Sequence, residues 1–395
     1  MRRAARHRAA SVPNPTAAAG PGATLNPMAA APLTTRERTL RRWIIALAAV
    51  AGVMLILAMA VVLYWVRFVL PTEPDPFTRG PWVASVSGTT ARVAWTIDPQ
   101  QPVRVRATSP AGRTISSDNG LLRGLTPGTR YGWVADVDGT ARAFGSVTTP
   151  PPSPGDPVRF IITGDYGAGG EDEYAVARVA AAQGPAFTVS TGDNVYLTAA
   201  PVLFDQTIFR PLRPLLAQGP LLGVVGDHDT LWKGGRPLAE TLGWPGGGDR
   251  SVQRYGRLAF ITLGVEGDAA DLPFLRSALA RTRDADARWV LIHRPPEAGN
   301  PVLPVVADAG AAAVLSGHNH RYERRTVDGV LCLTVGTGGA PRSDGDEFTP
   351  ESADAVVSIA EFGAVRADYR RGAVDYAFID LRGEVLDRFR APAGQ

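Results

Sequence analysis

The sequence is poor in cysteine and histidine. One cysteine, Cys332, stands among 395 residues, so no intramolecular disulfide can form and the small disulfide-stapled scaffolds are excluded. A net positive charge is missing from most of the chain. Residues 1–42 hold eight Arg against one Glu, a net +7 that exceeds the +3 of the whole sequence, and the remainder is therefore acidic by −4. A nucleic-acid-binding body is not expected, because the basic balance belongs to a short N-terminal stretch. What is present is length and apolar content: at 45% apolar and 20% charged residues, the chain suffices for two or three compact units with a sizeable core.

One apolar run is long. Residues 43–66, from Trp43 to Val66, carry no charge and are bounded by Arg41 and Arg42 before and Arg67 after. At about 1.5 Å per residue such a helix is about 36 Å long, enough to cross a hydrocarbon core of about 30 Å. Trp43, Tyr64 and Trp65 stand at its ends, where amphipathic rings favour the interface. A soluble core helix of this length would show a polar stripe, and this one has none. Arg36, Arg38, Arg41 and Arg42 precede the run, whereas acidic, proline-rich residues 71–76 come after it, so the N-terminus is expected in the cytoplasm and the rest outside. Ala58-Met59-Ala60 also resembles a signal-peptide cleavage site, but the apolar run continues past it and the leader is long. An uncleaved anchor in the lipid bilayer is therefore the expectation. Residues 9–35, rich in Ala and Pro, lack periodicity and are expected to be disordered, as part of a disordered basic tail over 1–42.

After a linker over 67–80, short alternating runs fill 81–149. Ala91, Val93, Trp95 and Ile97 share one face, and Tyr131, Trp133 and Ala135 share another. The segment Leu125 to Tyr131 resembles the tyrosine corner of a fibronectin type III-like β-sandwich, in which the hydroxyl ties a turn to nearby backbone. Residues 150–157, with five prolines, read as a stiff linker. From 158 to 391 the pattern becomes apolar runs ending in polar loops, interleaved with helical stretches at Glu171–Gln183 and Asp271–Arg283. The runs Val158–Thr163, Ala186–Ser190, Leu221–Val225, Trp289–Ile292 and Ala312–Leu315 suit strands buried on both faces. Ligands gather at the carboxyl ends of strands in such sheets, so the residues after each run are the informative ones.

Those five ends carry Gly164-Asp165-Tyr166-Gly167, Gly192-Asp193-Asn194-Val195-Tyr196, Gly226-Asp227-His228-Asp229, His293, and Gly317-His318-Asn319-His320. Alone, Gly-Asp after a strand is a turn signature and a lone His is a satisfied polar residue. Here Asp, Tyr and His recur together where one sheet would converge them, and all four histidines outside the N-terminal tail are among them. That recurrence points to a metal site.

The ordered motifs resemble the calcineurin-like metallophosphoesterases, and more narrowly the purple acid phosphatases; Tyr322-Glu323-Arg324 is similar to the sequence after the last motif there. The resemblance implies an α/β fold, an α/β/β/α sandwich preceded by the β-sandwich and the transmembrane helix. Many metallophosphoesterases have His at the position of Gly167, and Tyr196 can fill that place with a phenolate suited to Fe(III). Carried over, Asp165, Asp193, Tyr196 and His320 would hold a ferric ion, Asp193 would bridge, and Asp227, His293 and His318 would hold Zn, Mn or Fe(II). The implied function is hydrolysis of a small phosphorylated substrate, a phosphate monoester, by a metal-bound hydroxide. His228 would protonate the leaving group or bind the phosphoryl group with Asp229 orienting its ring, and Arg294 would add positive charge.

Two departures stand out. The family has Asn where this chain has Asp227, which cancels the net positive charge of the metal shell and predicts weaker binding of dianions. No His comes after His293 in Arg294-Pro-Pro-Glu297, which leaves proton donation to His228 or Glu297. The alternatives are a phosphodiesterase or nucleotidase, a catalytically weakened interaction protein, and a protein phosphatase, whose usual cytoplasmic setting conflicts with the expected topology.

Overall fold

A computed structural model describes residues 34–68, 76–97, 101–341 and 355–394. Two compact units divide between Val61 and Val62. The first holds most of the N-terminal helix, Thr35–Phe68, which begins eight residues before the apolar run and ends past Val61. Ala, Leu and Val are its commonest apolar residues, and its lone Gly52 does not interrupt it. The window Arg38–Tyr64 is long and apolar enough to cross a membrane, with none of it buried in protein, unlike a soluble core helix. Residues 35–42, expected to be disordered, are helical. Of the expected disordered stretch, residues 1–33 lie outside the described residues.

The second unit starts with seven strands: β1 (Phe77–Val86), β2 (Thr90–Ile97), β3 (Val103–Thr108), β4 (Thr114–Ser117), β5 (Leu121–Arg123), β6 (Arg130–Val137) and β7 (Thr140–Thr148). They form sheets of order β1-β2-β5 and β4-β3-β6-β7, both antiparallel. Residues alternate in and out along β3, as half-buried strands require, and Val83, Val93, Val105, Tyr131, Trp133 and Val147 fill the shared core. The Tyr131 hydroxyl accepts from the Thr126 backbone N–H at 2.9 Å, the tie that the turn sequence suggested. Strand β1 begins at Phe77, inside the stretch expected to be linker, because Phe77 enters that core.

The sandwich is docked directly on the larger α/β body of the same unit. Trp133 Nε1 and the Ser146 N–H both donate to Ala217 O, at 3.1 and 2.9 Å, and a Cβ on Gly145 would collide with that carbonyl. The Arg79–Asp205 ion pair at 2.7 Å and a Tyr255 hydroxyl bond to Thr148 O at 2.7 Å add to the junction.

Beyond residue 157 come β8 (Val158–Thr163), β9 (Phe187–Ser190), β10 (Leu221–Gly223), β11 (Arg250–Tyr255), β12 (Leu258–Leu263), β13 (Ala287–Leu291), β14 (Ala313–Ser316), β15 (Tyr322–Val327), β16 (Val330–Val335), β17 (Ala355–Ile359), β18 (Gly363–Arg370), β19 (Ala373–Asp380) and β20 (Val385–Pro392). They form a six-stranded sheet, β10-β9-β8-β18-β19-β20, and a seven-stranded sheet, β11-β12-β13-β14-β16-β15-β17. A core of Phe160, Phe187, Phe260, Trp289, Leu315, Leu333 and Tyr376 draws on both sheets and lies between them. The outer face of the first sheet is covered by helix Glu171–Ala182 and the segment 199–216, and that of the second by helices Leu272–Arg281 and Val302–Asp308. Covering on both faces is why β8 reads as an unbroken apolar run: Phe160 and Ile162 face the central core while Ile161 faces the outer one. Strands β8, β9 and β10 are mutually parallel, as are β12, β13, β14 and β16, which sets their carboxyl ends along a common edge of each sheet.

Candidate metal centre

Asp165 comes after β8, Asp193 after β9, Asp227 after β10, His293 after β13, and His318 and His320 after β14. Their donor atoms meet in two groups, Asp165 with Asp193 and His293, and Asp227 with His293 and His318; within each group the atoms lie within 4.8 Å of one another. His293 Nε2 is the shared atom, 2.9 Å from Asp227 Oδ1 and 3.4 Å from Asp193 Oδ1. Tyr196 and His320 flank the first group: the Tyr196 hydroxyl is 2.9 Å from His320 Nε2 and donates to Asp165 Oδ1 at 3.3 Å, and His320 Nε2 is 3.7 Å from Asp165. His318 Nδ1 is 3.3 Å from Asp227 Oδ1. All seven side chains expected as ligands therefore converge. Asp193, assigned the bridging role in the sequence, meets the second group through His293.

Glycine permits this convergence. A Cβ on Gly226 would run into the Asp193 carboxylate, one on Gly317 into the Asp165 carboxylate, and one on Gly164 into Thr191. Asp165, Asp193 and His318 themselves have φ of 54°, 50° and 68°, the left-handed region that L-residues avoid, so three of the donors carry backbone strain. Gly167 also explains the missing histidine, since a Cβ there would strike the Asn194–Val195 backbone. No side chain fits at 167, and Tyr196, whose N–H donates to Gly167 O at 2.8 Å, occupies the neighbouring space.

Hydrogen bonds behind the donors fix their orientation. His293 Nδ1 is 2.9 Å from Thr191 O and His320 Nδ1 is 2.9 Å from Pro341 O, which presents each Nε2 to the site. Both Asp165 oxygens accept from the His318 N–H at 3.0 Å, and Asp193 Oδ1 accepts from the His228 N–H at 3.1 Å.

Burial and the Asp193 charge push the Asp165 carboxyl well above its usual range. The Tyr196 phenol is likewise raised, by burial and then by Asp165 and Asp193. Burial alone would lower the His293 imidazole, but hydrogen bonds to Asp193 and Asp227 push it up, and the same bond from His293 holds Asp227 below the carboxylate range. Acidic oxygens gathered in a buried place, with a phenol beside them whose ionisation their charge opposes, are a donor set that a cation completes. A pair of cations fits these residues, with hard oxygen and imidazole ligands of the kind that iron, zinc and manganese accept.

Asp229 does not orient His228. It is fully buried and accepts from the N–H groups of Gly226, Asn194 and Val195 at 2.8 to 3.1 Å and from Asn194 Nδ2 at 2.7 Å. Burial and the Asp193 charge raise it to about 6. Its position three residues after Gly226 turns it inward, where it clamps the second and third motif loops together. His228 instead packs at a tilt against Tyr196, ring centroids 4.5 Å apart, with Nδ1 3.4 Å from Leu197 O. Arg294 reaches Asp227 Oδ2 at 3.5 Å and Glu266 at 3.1 Å, so its charge stands beside the site. Glu297 pairs with the buried Arg325 at 3.2 Å. Next to His318 a cavity of about 220 Å³ is lined by Arg294, Glu297, Asn319, Glu323 and Arg325.

The sequence reading missed Asn194 and Glu173. Asn194 links Ser190, Tyr166, Val224 and Asp229 behind the second motif, and Glu173 is fully buried and accepts from the Gly169 N–H at 2.7 Å. An Asn directly after the second motif's Asp was a usable signal; a Glu in a helix's first turn carries none.

No protein-family model and no curated protein matches this sequence. Solved structures do resemble it. A purple acid phosphatase from yellow lupin (Lupinus luteus) seeds superposes with a TM-score of 0.62 at 16% identity, over 80% of this chain and 75% of that one. PhoD superposes with a TM-score of 0.56 at 13% identity, over 82% and 90%. At these identities the likeness is one of fold, and it agrees with the ordered motifs: the chain has the metallophosphoesterase fold.

Proposed function

We propose that the protein is a membrane-anchored, extracytoplasmic binuclear metallophosphatase acting on phosphate monoesters. The observation that carries this reading is the meeting, at the edges of two sheets, of three carboxylates, three imidazoles and the Tyr196 phenol. Asp165, Asp193, Tyr196 and His320 would hold the ferric ion, and Asp227, His293 and His318 a divalent one. Bound there, the pair supplies Lewis acidity for the phosphoryl oxygens and lowers the pKa of water.

The chain's own residues do the rest. Asp229 fixes the loops that carry Asp193 and Asp227, so the donors are positioned before any substrate arrives. With Nδ1 turned to Leu197 O, His228 has Nε2 free to hold a proton for the leaving-group oxygen. Arg294 places a cation against Asp227 and offsets part of the charge that this Asp adds relative to Asn. We read the β-sandwich as fibronectin type III-like and the helix as an uncleaved anchor with the catalytic body outside. The test is a panel of phosphomonoesters, phosphodiesters and nucleotides assayed against the metal-loaded protein. Turnover of monoesters that His228→Ala reduces about 100-fold or more supports the reading; preference for diesters or nucleotides redirects it, and absence of any turnover sinks it.

A further inference from the structure

Outside the N-terminal helix, eight large apolar side chains are exposed among the described residues. Phe144, Val356, Val385 and Leu386 lie on β7, β17 and β20, each at a sheet edge, where exposure has an ordinary cause. Leu197, Val202, Leu231 and Trp232 do not. They are 71%, 48%, 67% and 41% exposed, and they belong to the two loops that bring Tyr196 and His228 to the site. His228 joins the loops: its ring packs on Tyr196, its Nδ1 faces Leu197 O, and its carbonyl accepts from the Leu231 N–H at 3.3 Å. Beside His318, by contrast, is the charged cavity of Arg294, Glu297, Glu323 and Arg325. The surroundings of the site are thus apolar next to Tyr196 and His228 and charged next to His318.

We infer that the apolar collar of Leu197, Leu231 and Trp232 holds the organic part of the substrate, and that the substrate is the phosphate ester of an apolar alcohol. This rests on the phosphatase reading, in which the leaving oxygen is protonated by His228 and so departs on the collar's side. Exposed leucines and an indole are removed from water by an alkyl or aryl group and gain nothing from a polyol. The step itself is ordinary hydrolysis: water adds to phosphorus, the P–O bond to the alcohol breaks, and the alcohol leaves with a proton.

The test uses the full chain in lipid nanodiscs with its metals bound, and two primary alkyl phosphates of equal length, n-hexyl phosphate and 2-(2-hydroxyethoxy)ethyl phosphate. Phosphate release gives kcat/KM for each. The expected ratio favours hexyl phosphate by about tenfold, the order for removing roughly two methylenes from water, and the Leu231→Ser/Trp232→Ser variant brings it towards unity. Leu197→Ser, on the other loop, lowers the ratio independently should the double variant not fold. Equal rates in the unaltered protein overturn this inference alone, as does a preference the substitutions leave unchanged. Release from neither ester, with metal bound, overturns it together with the phosphatase reading.

Discussion

Asp165 and Asp193 are sunk in the protein and held by backbone N–H groups, whereas Asp227 and His318 keep about a third of their side chains in solvent and are held chiefly by other side chains. His293, fully buried, is the hinge between the two halves. The first half is framed by strained Asp165 and Asp193, by Tyr196 and by the Asn194–Asp229 network, which reaches the loop of Asp227 only through the Gly226 N–H, while the Asp227 side chain itself is held by His293, His318 and Arg294. The contrast teaches a division of labour. Charge buried at high desolvation cost needs a cation permanently, so the closed half suits a tightly held, highly charged ion. On the proposed reading the open half would exchange its ion and receive substrate, and the carboxylate of Asp227 would adjust how strongly anions bind.

The largest effect should come from the closed half. Asp165→Asn removes a charge on which both Tyr196 and the buried ion depend, and should cut metal content and activity by at least about 100-fold, beyond what loss of a group behind a ligand costs; metal analysis beside a rate assay checks it. Asp229→Asn comes next. It leaves every ligand in place but puts an amide donor among four N–H groups, so metal affinity should fall about 10- to 100-fold, measured by competition with a chelator. Unchanged affinity would break the claim that the closed half depends on its backing.

In the open half Asp227→Asn should keep both ions and tighten product inhibition by phosphate roughly tenfold, about 1.4 kcal/mol, because one negative charge leaves the shell. Inhibition that is unchanged or weaker would erase the proposed difference between the halves. The smallest effect is on stability. Burial holds the Glu173 carboxyl well above its usual range, against the Gly169 N–H that favours ionisation. It stays protonated in the fold while the unfolded chain ionises near the ordinary value, so stability falls as pH rises from about 4.5 through the folded pKa, by at most about 1.4 kcal/mol per unit. Glu173→Gln should flatten that slope in denaturation measured across pH.

Donors of both halves were legible in the sequence, since Asp165, Asp193, Asp227 and His318 each come after an apolar run and a glycine at the end of a parallel strand. Five strands and two helices appear where the apolar runs place them, within a few residues. What escaped was set by tertiary contacts. Asp229 beside His228 looked like its partner, yet helical geometry after Gly226 sends the two side chains in different directions. Strands β18 to β20 give weak signals because charged residues such as Arg366, Asp368, Arg388 and Arg390 interrupt their apolar positions, and β20 is an exposed edge. The sandwich showed its alternation plainly, but nothing local announces that Trp133 donates to Ala217, some eighty residues away.

The central claim is that a phenolate from Tyr196 completes a ferric site in the closed half. Metal analysis and the visible spectrum of the purified protein, compared with Tyr196→Phe, test it most directly. The account predicts iron together with a second ion and a visible absorption band that the substitution abolishes. A colourless protein holding only divalent ions, or a band that survives in Tyr196→Phe, would contradict it.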